Sequence, residues 1–150
     1  MHPPDPFFQF AQGPIELDRG ALLIAQEHRP DLNIAHYLRI LDGLADGFSP
    51  PNLSSDLQDT IGCFNTYLFE ELGFRGNRES YDDPQNSYLD AVLERRLGIP
   101  ITLSLVYIEI GRRVGLSLSG VNFPYHFLVR CDASNEPLFI DPFLGGICLH

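Results

Sequence analysis

Residues 98–113, Gly98-Ile99-Pro100-Ile101-Thr102-Leu103-Ser104-Leu105-Val106-Tyr107-Ile108-Glu109-Ile110-Gly111-Arg112-Arg113, decide the fold. Pro100 suits the first position of a helix, where its missing N–H costs nothing. The run that follows is apolar on nearly every face until Arg112, as in a helix buried all round. Its β-branched residues would also suit a strand. The length of the run, and Gly115 placed as a helix terminator, predict a central helix instead.

Upstream, the chain reads as helices. Leu22, Leu23 and Ala25 mark one over Asp18 to His28, stopped before Pro30. Ile34, Tyr37, Leu38, Leu41 and Leu44 recur at helical spacing in a second, from an Asn33 cap to about Ala45. Ser55-Asp56-Leu57-Gln58 is read as a capping box opening a third, which runs to Leu72 and ends at Gly73. After a polar, turn-rich stretch from Gly76 to Gln85, Asn86 or Ser87 caps a fourth over Tyr88 to Leu97, closed by Gly98.

Beyond Gly115 the texture changes to short alternating runs. Leu118 to Phe123, His126 to Cys131 and Leu138 to Ile140 are predicted strands of a small antiparallel sheet. Asp132-Ala133-Ser134-Asn135 reads as a four-residue hairpin loop. The expected fold class is therefore α+β: a single domain over 1–150, mostly helical through residue 80, with the sheet packed on the central helix.

Composition narrows the function. The chain has 150 residues, 44% of them hydrophobic, enough for one domain with a real core. Twenty acidic residues face ten basic ones, a net charge of −10, and every basic residue is arginine. A nucleic-acid binder shows a basic patch, because phosphate contacts supply much of its affinity. Here the nearest features are Arg95-Arg96 and Arg112-Arg113, each in the last turn of a predicted helix, where cations complement the helix dipole. Nucleic acid is not an expected partner. Cys63, Cys131 and Cys148 make an odd count without CxxC spacing, so neither a disulfide framework nor a zinc site follows. The start, Met-His-Pro-Pro-Asp-Pro, lacks the basic and apolar segments of a signal peptide, and no stretch is long enough to span a bilayer. A cytoplasmic protein is expected, with no membrane partner. The Pro- and Phe-rich start, with Phe7-Phe8-Gln9-Phe10, is expected to be extended and to dock on the body or on a partner.

One pair of residues carries possible chemistry. If Cys131 pairs with Glu136 across the loop, His126 falls opposite Asp141, with Cβ atoms about 4.5–5.5 Å apart. A carboxylate there can hold one imidazole nitrogen and leave the other free to accept a proton. A hydrogen-bonded structural pair is the plainer alternative. A metal around His126 and Asp141, with Glu109 or Asp83, lacks any HxxxH or clustered ligand spacing, so no metal or cofactor is expected.

Longer motifs extend this reading. Asp83-Pro84-Gln85-Asn86-Ser87-Tyr88-Leu89, Val92-Leu93-Glu94-Arg95-Arg96 and Gly98 to Leu105 are followed by Gly120-Val121-Asn122-Phe123-Pro124, His126-Phe127-Leu128-Val129-Arg130 and Asp141-Pro142-Phe143. Together they resemble the SirB-type family of bacterial proteins, whose core belongs to the transglutaminase-like superfamily. Ala21-Leu22-Leu23-Ile24-Ala25 and Pro30-Asp31-Leu32 are similar to the family's N-terminal helices more loosely.

The resemblance implies a papain-like Cys–His–Asp site, in which a Cys opens the buried helix and His and Asp stand on adjacent strands. His126 matches the His and Asp141 the Asp. The Cys is implied at Pro100 to Thr102, and none is there. Thr102 and Ser104 are the nearest hydroxyls, far less acidic than a thiol at a helix start. Tyr125 stands where the family usually has Gly. Family members usually continue into a helical C-terminal region, so a chain ending at His150 is expected to be a truncated form.

Two functions follow as expectations. The first is a non-catalytic regulatory or binding module that takes a protein or peptide segment in a groove around His126, Asp141 and the turn Asn122-Phe123-Pro124-Tyr125. The second is an acyl-transfer or amide-hydrolysing enzyme with His126 as base, Asp141 as its orienting partner and Thr102 as a non-standard nucleophile.

Overall fold

A computed structural model describes residues 16–49, 56–124, 126–132 and 136–149. Helix α1, Leu17–His28, and helix α2, Ile34–Asp46, form an antiparallel pair joined by a five-residue turn. Asn33 caps α2 as its sequence predicts, its side chain accepting from His36 N at 3.2 Å. Helix α3, Leu57–Asn65, is capped by Asp56, which accepts from Gln58 N at 3.0 Å. The expected capping box differs here: the capping oxygen comes one residue later, and Ser55 lies outside the described residues. Past Asn65 the helix widens into a π-turn, Thr66–Glu71, which Gly73 closes at φ +79°.

The fourth helix is shorter than its pattern suggests. A 3₁₀ turn, Pro84–Ser87, is capped by Asp83, and α4 covers only Leu89–Arg95. Asn86 is no helix cap. It is fully buried, and its amide donates to Ser80 O (2.8 Å) and Tyr81 O (3.0 Å) while accepting from Asn77. Arg96 ends α4 in the left-handed region, φ 58°, held there by its guanidinium on Leu72 O (2.6 Å) and over the Phe74 ring. Leu97–Gly98 (β2) then pairs in parallel with Arg75–Gly76 (β1), a two-residue ladder with no side-chain periodicity to announce it.

Helix α5, Pro100–Arg113, is the predicted central helix, with Leu103, Val106, Tyr107 and Ile110 deep in the core. Its far end is also the electrostatic junction of the domain. Arg113 reaches Asp18 of α1 (2.6 Å), Asp42 of α2 (2.7 Å) and Glu109 one turn back (3.2 Å). The arginine therefore does more than complement a dipole: it ties both N-terminal helices to α5. Burial alone would push the Asp18 carboxyl up, but the guanidinium and the Arg19 N–H outweigh it and hold that carboxyl below its ordinary value.

The sheet is antiparallel in the order β3-β4-β5-β6: Leu118–Phe123, His126–Cys131, Leu138–Asp141 and Ile147–Leu149. The first two strands have their predicted bounds, the third runs one residue longer, and the fourth is additional. Val129, Cys131, Leu138 and Ile140 face α5 and join the core. The result is an α+β domain with α5 clasped between the N-terminal helices and one face of the sheet.

Candidate functional site

The opening turn of α5 and the adjoining sheet edge hold the predicted residues. Thr102 is buried, and its Oγ1 donates to Asn86 O at 2.7 Å while accepting from Ile99 N at 3.1 Å. The hydroxyl proton and a lone pair are thus both engaged, and they bind the loop of residues 77–87 to the helix start. Ser104 is fully buried with only a long contact, 3.5 Å, to Phe127 O.

The hairpin register differs from expectation. Cys131 pairs with Leu138, Arg130 with Phe139 and Val129 with Ile140, so residues 132–137 form a longer connection than the four-residue loop expected. Continuing the ladder by one step puts Leu128, not His126, across from Asp141. The offset is two residues, and an even slip keeps both side chains on the same face. His126 and Asp141 become diagonal neighbours, for which Cβ atoms stand about 7–8 Å apart. Among the described residues no hydrogen bond joins them. Asp141 is buried, and its Oδ1 caps the 3₁₀ turn Pro142–Leu144 by accepting from Phe143 N (3.0 Å) and Leu144 N (3.3 Å).

The shared face is the one turned away from α5. His126 opposes Phe123, and the Phe123 ring meets Phe139 edge-on, 5.9 Å between centroids, above the intervening strand. Leu128, between them, is 6% exposed yet takes no part in the core beneath the sheet. Val121 pairs with Leu128, and Ile147 and Leu149 pair with Asp141 and Phe139. An antiparallel sheet with one face on a core normally turns polar residues outward. Here the outward face carries Val121, Phe123, Leu128, Phe139, Ile147 and Leu149, with His126, Arg130 and the buried Asp141 set among them. No composition argument signalled it; the signal was the odd-even pattern of Val121, Phe123, Leu128 and Phe139, which only the register makes legible.

The other candidates lie elsewhere. Asn122 and Pro124 are exposed at the β3–β4 turn, and Tyr125 lies outside the described residues. Cys131 faces the core. Cys148, paired with Ile140, shares that inner side, and burial pushes its thiol up. Cys63 lines an open hollow of about 750 Å³ between the segment that follows α2 and the α3–π-turn helix, together with Phe48, Thr66 and Tyr67. Neither strand cysteine shares a sheet face with His126. Asp83 pairs with Arg95 and Glu109 with Arg112 and Arg113, and among the described residues no cluster of three or more metal-ligating side chains forms. Among them, too, no helix is long and apolar enough to cross a membrane.

Comparison with known proteins agrees with this architecture. The chain is 42% identical over 132 residues to a UPF0162 protein of Xylella fastidiosa (strain Temecula1), covering 84% of this chain and 45% of that one. It is 40% identical over 136 residues to a UPF0162 protein of Vibrio cholerae, covering 89% of this chain and 50% of that one. Human F-box only protein 21 shares 41% identity over 98 residues, 65% of this chain and 16% of the human protein. The chain spans about half the length of its bacterial relatives. No solved structure matches it. The sequence profile of the transglutaminase-like superfamily matches residues 35–150, and the chain belongs to that superfamily.

Proposed function

We propose that this domain is a SirB-type, non-catalytic regulatory module of the cytoplasm that binds an extended protein or peptide segment across the outer sheet face beside His126 and the Asn122–Tyr125 turn. The observation that carries the reading is the set of apolar side chains on that face, with Phe123 40%, Ile147 53% and Leu149 45% exposed. Large apolar side chains gathered and exposed on one face mark interaction sites. The site chemistry supports it. The family's thiol position holds Pro100, Ile101 and Thr102, the Thr102 hydroxyl is engaged with backbone, and the Asp141 carboxylate caps a turn. Three free thiols suit a reducing compartment.

A peptide array followed by NMR titration tests the proposal. Bound peptides are expected to shift the Val121, Leu128 and Phe139 resonances. Peptides that perturb only the Cys63 cavity would refute this surface. The enzyme alternative makes the opposite forecast: transfer of an amine onto a glutamine peptide that is lost in both His126→Ala and Thr102→Val would replace the binding reading.

A further inference from the structure

We infer that the ligand of the outer face binds as a fifth strand, its backbone pairing with the free edge of β3 and its alternate side chains lying beside Val121 and Phe123. The occupant is an extended, cationic segment of another protein, with apolar residues two apart between flanking Lys or Arg. The inference deepens the binding reading and rests on it, because it says how the same segment is held.

The first observation is the direction of the β3 backbone. Asp132 N donates to Ser117 O (3.3 Å), and the register runs unbroken from there to Phe123 opposite His126. Paired residues of an antiparallel ladder alternate between those that exchange hydrogen bonds and those that do not. Ser119, Val121 and Phe123 therefore bond β4, whereas Leu118, Gly120 and Asn122 turn their N–H and C=O groups away from it. Among the described residues no hydrogen bond reaches those outward groups, and no further strand lies beyond β3.

The second observation is that nothing blunts this edge. Proteins guard exposed edges with short strands, prolines, bulges or charged side chains. The opposite edge of the sheet, β6, is three residues long. β3 has six, Leu-Ser-Gly-Val-Asn-Phe, without bulge, proline or charge, and Ser119, Gly120, Asn122 and Phe123 are exposed. An added strand finds its ladder partners at Leu118, Gly120 and Asn122. Its residues opposite Val121 and Phe123 point to the outer face, because side chains alternate across a strand.

Charge selects the occupant. Pairing β3 with β3 of a second copy would join two chains that each carry a net charge of −10, and self-repulsion opposes that association. The same field attracts a cationic segment. Arg130, the cation beside β3, is already paired with Asp132. β3 itself is uncharged, so the cations belong at the ends of the segment and the apolar residues at its centre.

The test uses the full chain and the synthetic peptide Lys-Lys-Val-Thr-Val-Thr-Val-Thr-Lys-Lys, beside the same peptide N-methylated at every Val and Thr. The parent peptide is expected to bind, to slow exchange of the Leu118, Gly120 and Asn122 amides, and to shift the Phe123 ring signals. N-methylation keeps the side chains and removes the ladder donors, and is expected to weaken binding about tenfold or more. Asn122→Pro removes one outward N–H while sparing the β3–β4 ladder, and is expected to weaken the parent peptide as well. Should that variant unfold, the N-methylated peptide on wild type decides alone. Equal binding of the two peptides, or a bound parent that leaves the three amides exchanging freely, overturns the inference and spares the face reading. No binding of the parent overturns it too, as does equal binding of a version with Glu in place of Lys. Protection of these amides that grows with protein concentration without peptide would make the occupant a second copy, which also overturns it. Protected amides with unmoved Phe123, Leu128 and Phe139 side-chain signals would refute the face reading alone.

Discussion

The Thr102 hydroxyl and the Asn86 carbonyl meet at 2.7 Å, and through that bond the first turn of the central helix holds the loop of residues 77–87 in place. Asn86 in turn gathers Ser80, Tyr81 and Asn77, so one buried hydroxyl anchors a polar scaffold of four loop residues. Replacing Thr102 by Val keeps the shape and removes the donor, leaving a buried carbonyl unpaired. The expected loss is about 1–3 kcal/mol in urea unfolding, with Thr102→Ser retaining most of the stability. Equal stability of wild type and Thr102→Val would show that the hydroxyl is free for another role.

Asp18 and Arg113 predict an acid-sensitive component of stability. The Asp18 carboxyl is held below its ordinary value of 3.8 in the folded state. A depressed carboxyl stabilises the fold above the unfolded value, and that contribution fades as pH drops through the folded one. Asp18→Asn is therefore expected to cost about 1–4 kcal/mol at pH 7, since the Asp18 side chain is 4% exposed and the Arg113 side chain 13%. The gap to wild type should narrow below about pH 4 and close once Asp18 is protonated. Unfolding curves at pH 7, 4, 3 and 2 measure it; a gap independent of pH would mean that packing, not charge, dominates.

Much of this fold was legible because side-chain periodicity reports which face is buried. Short runs of apolar residues bounded by turn residues marked Leu118–Phe123 and His126–Cys131 as strands, and the 3.6-residue repeat from Ile34 to Leu44 marked α2. The face that His126 and Asp141 share came from the supposed pairing of Cys131 with Glu136, and the observed pairing of Cys131 with Leu138 keeps it because the slip is even. Side-chain pattern could not fix their separation, because alternation is unchanged by a slip of two and the loop length decides the rest. Asp56 and Ser55 are adjacent acceptors, and a spacing rule does not choose between neighbours. The β1–β2 ladder and the π-turn rest on backbone bonds such as Asn77 N to Gly98 O and Leu72 N to Tyr67 O, which side-chain pattern does not encode. Asn86 looked like a cap because its buried partners lie five and six residues upstream rather than in the next turn.

Gly76 and Phe143 make a third prediction. A Cβ on Gly76 would stand 2.4 Å from the Phe143 ring, which is also bracketed by Arg78 and Tyr81. Gly76→Ala is expected to cost about 1–3 kcal/mol through overpacking. Phe143→Leu should recover part of that loss in the double variant, a coupling that thermal unfolding of the four proteins in a cycle would reveal. Strict additivity would place the strain elsewhere.

Asp141 separates the structural from the catalytic account of the pair. As the cap of Pro142–Leu144 it needs an acceptor oxygen, and asparagine supplies one. Asp141→Asn is therefore expected to stay within about 0.5 kcal/mol of wild type, and Asp141→Ala to lose about 0.5–2 kcal/mol. A carboxylate needed for its charge would behave differently, because asparagine would remove that charge as fully as alanine. Urea unfolding of wild type, Asp141→Asn and Asp141→Ala makes the distinction. A loss in Asp141→Asn as large as in Asp141→Ala would mean that the charge, and not the capping oxygen, is what the fold uses.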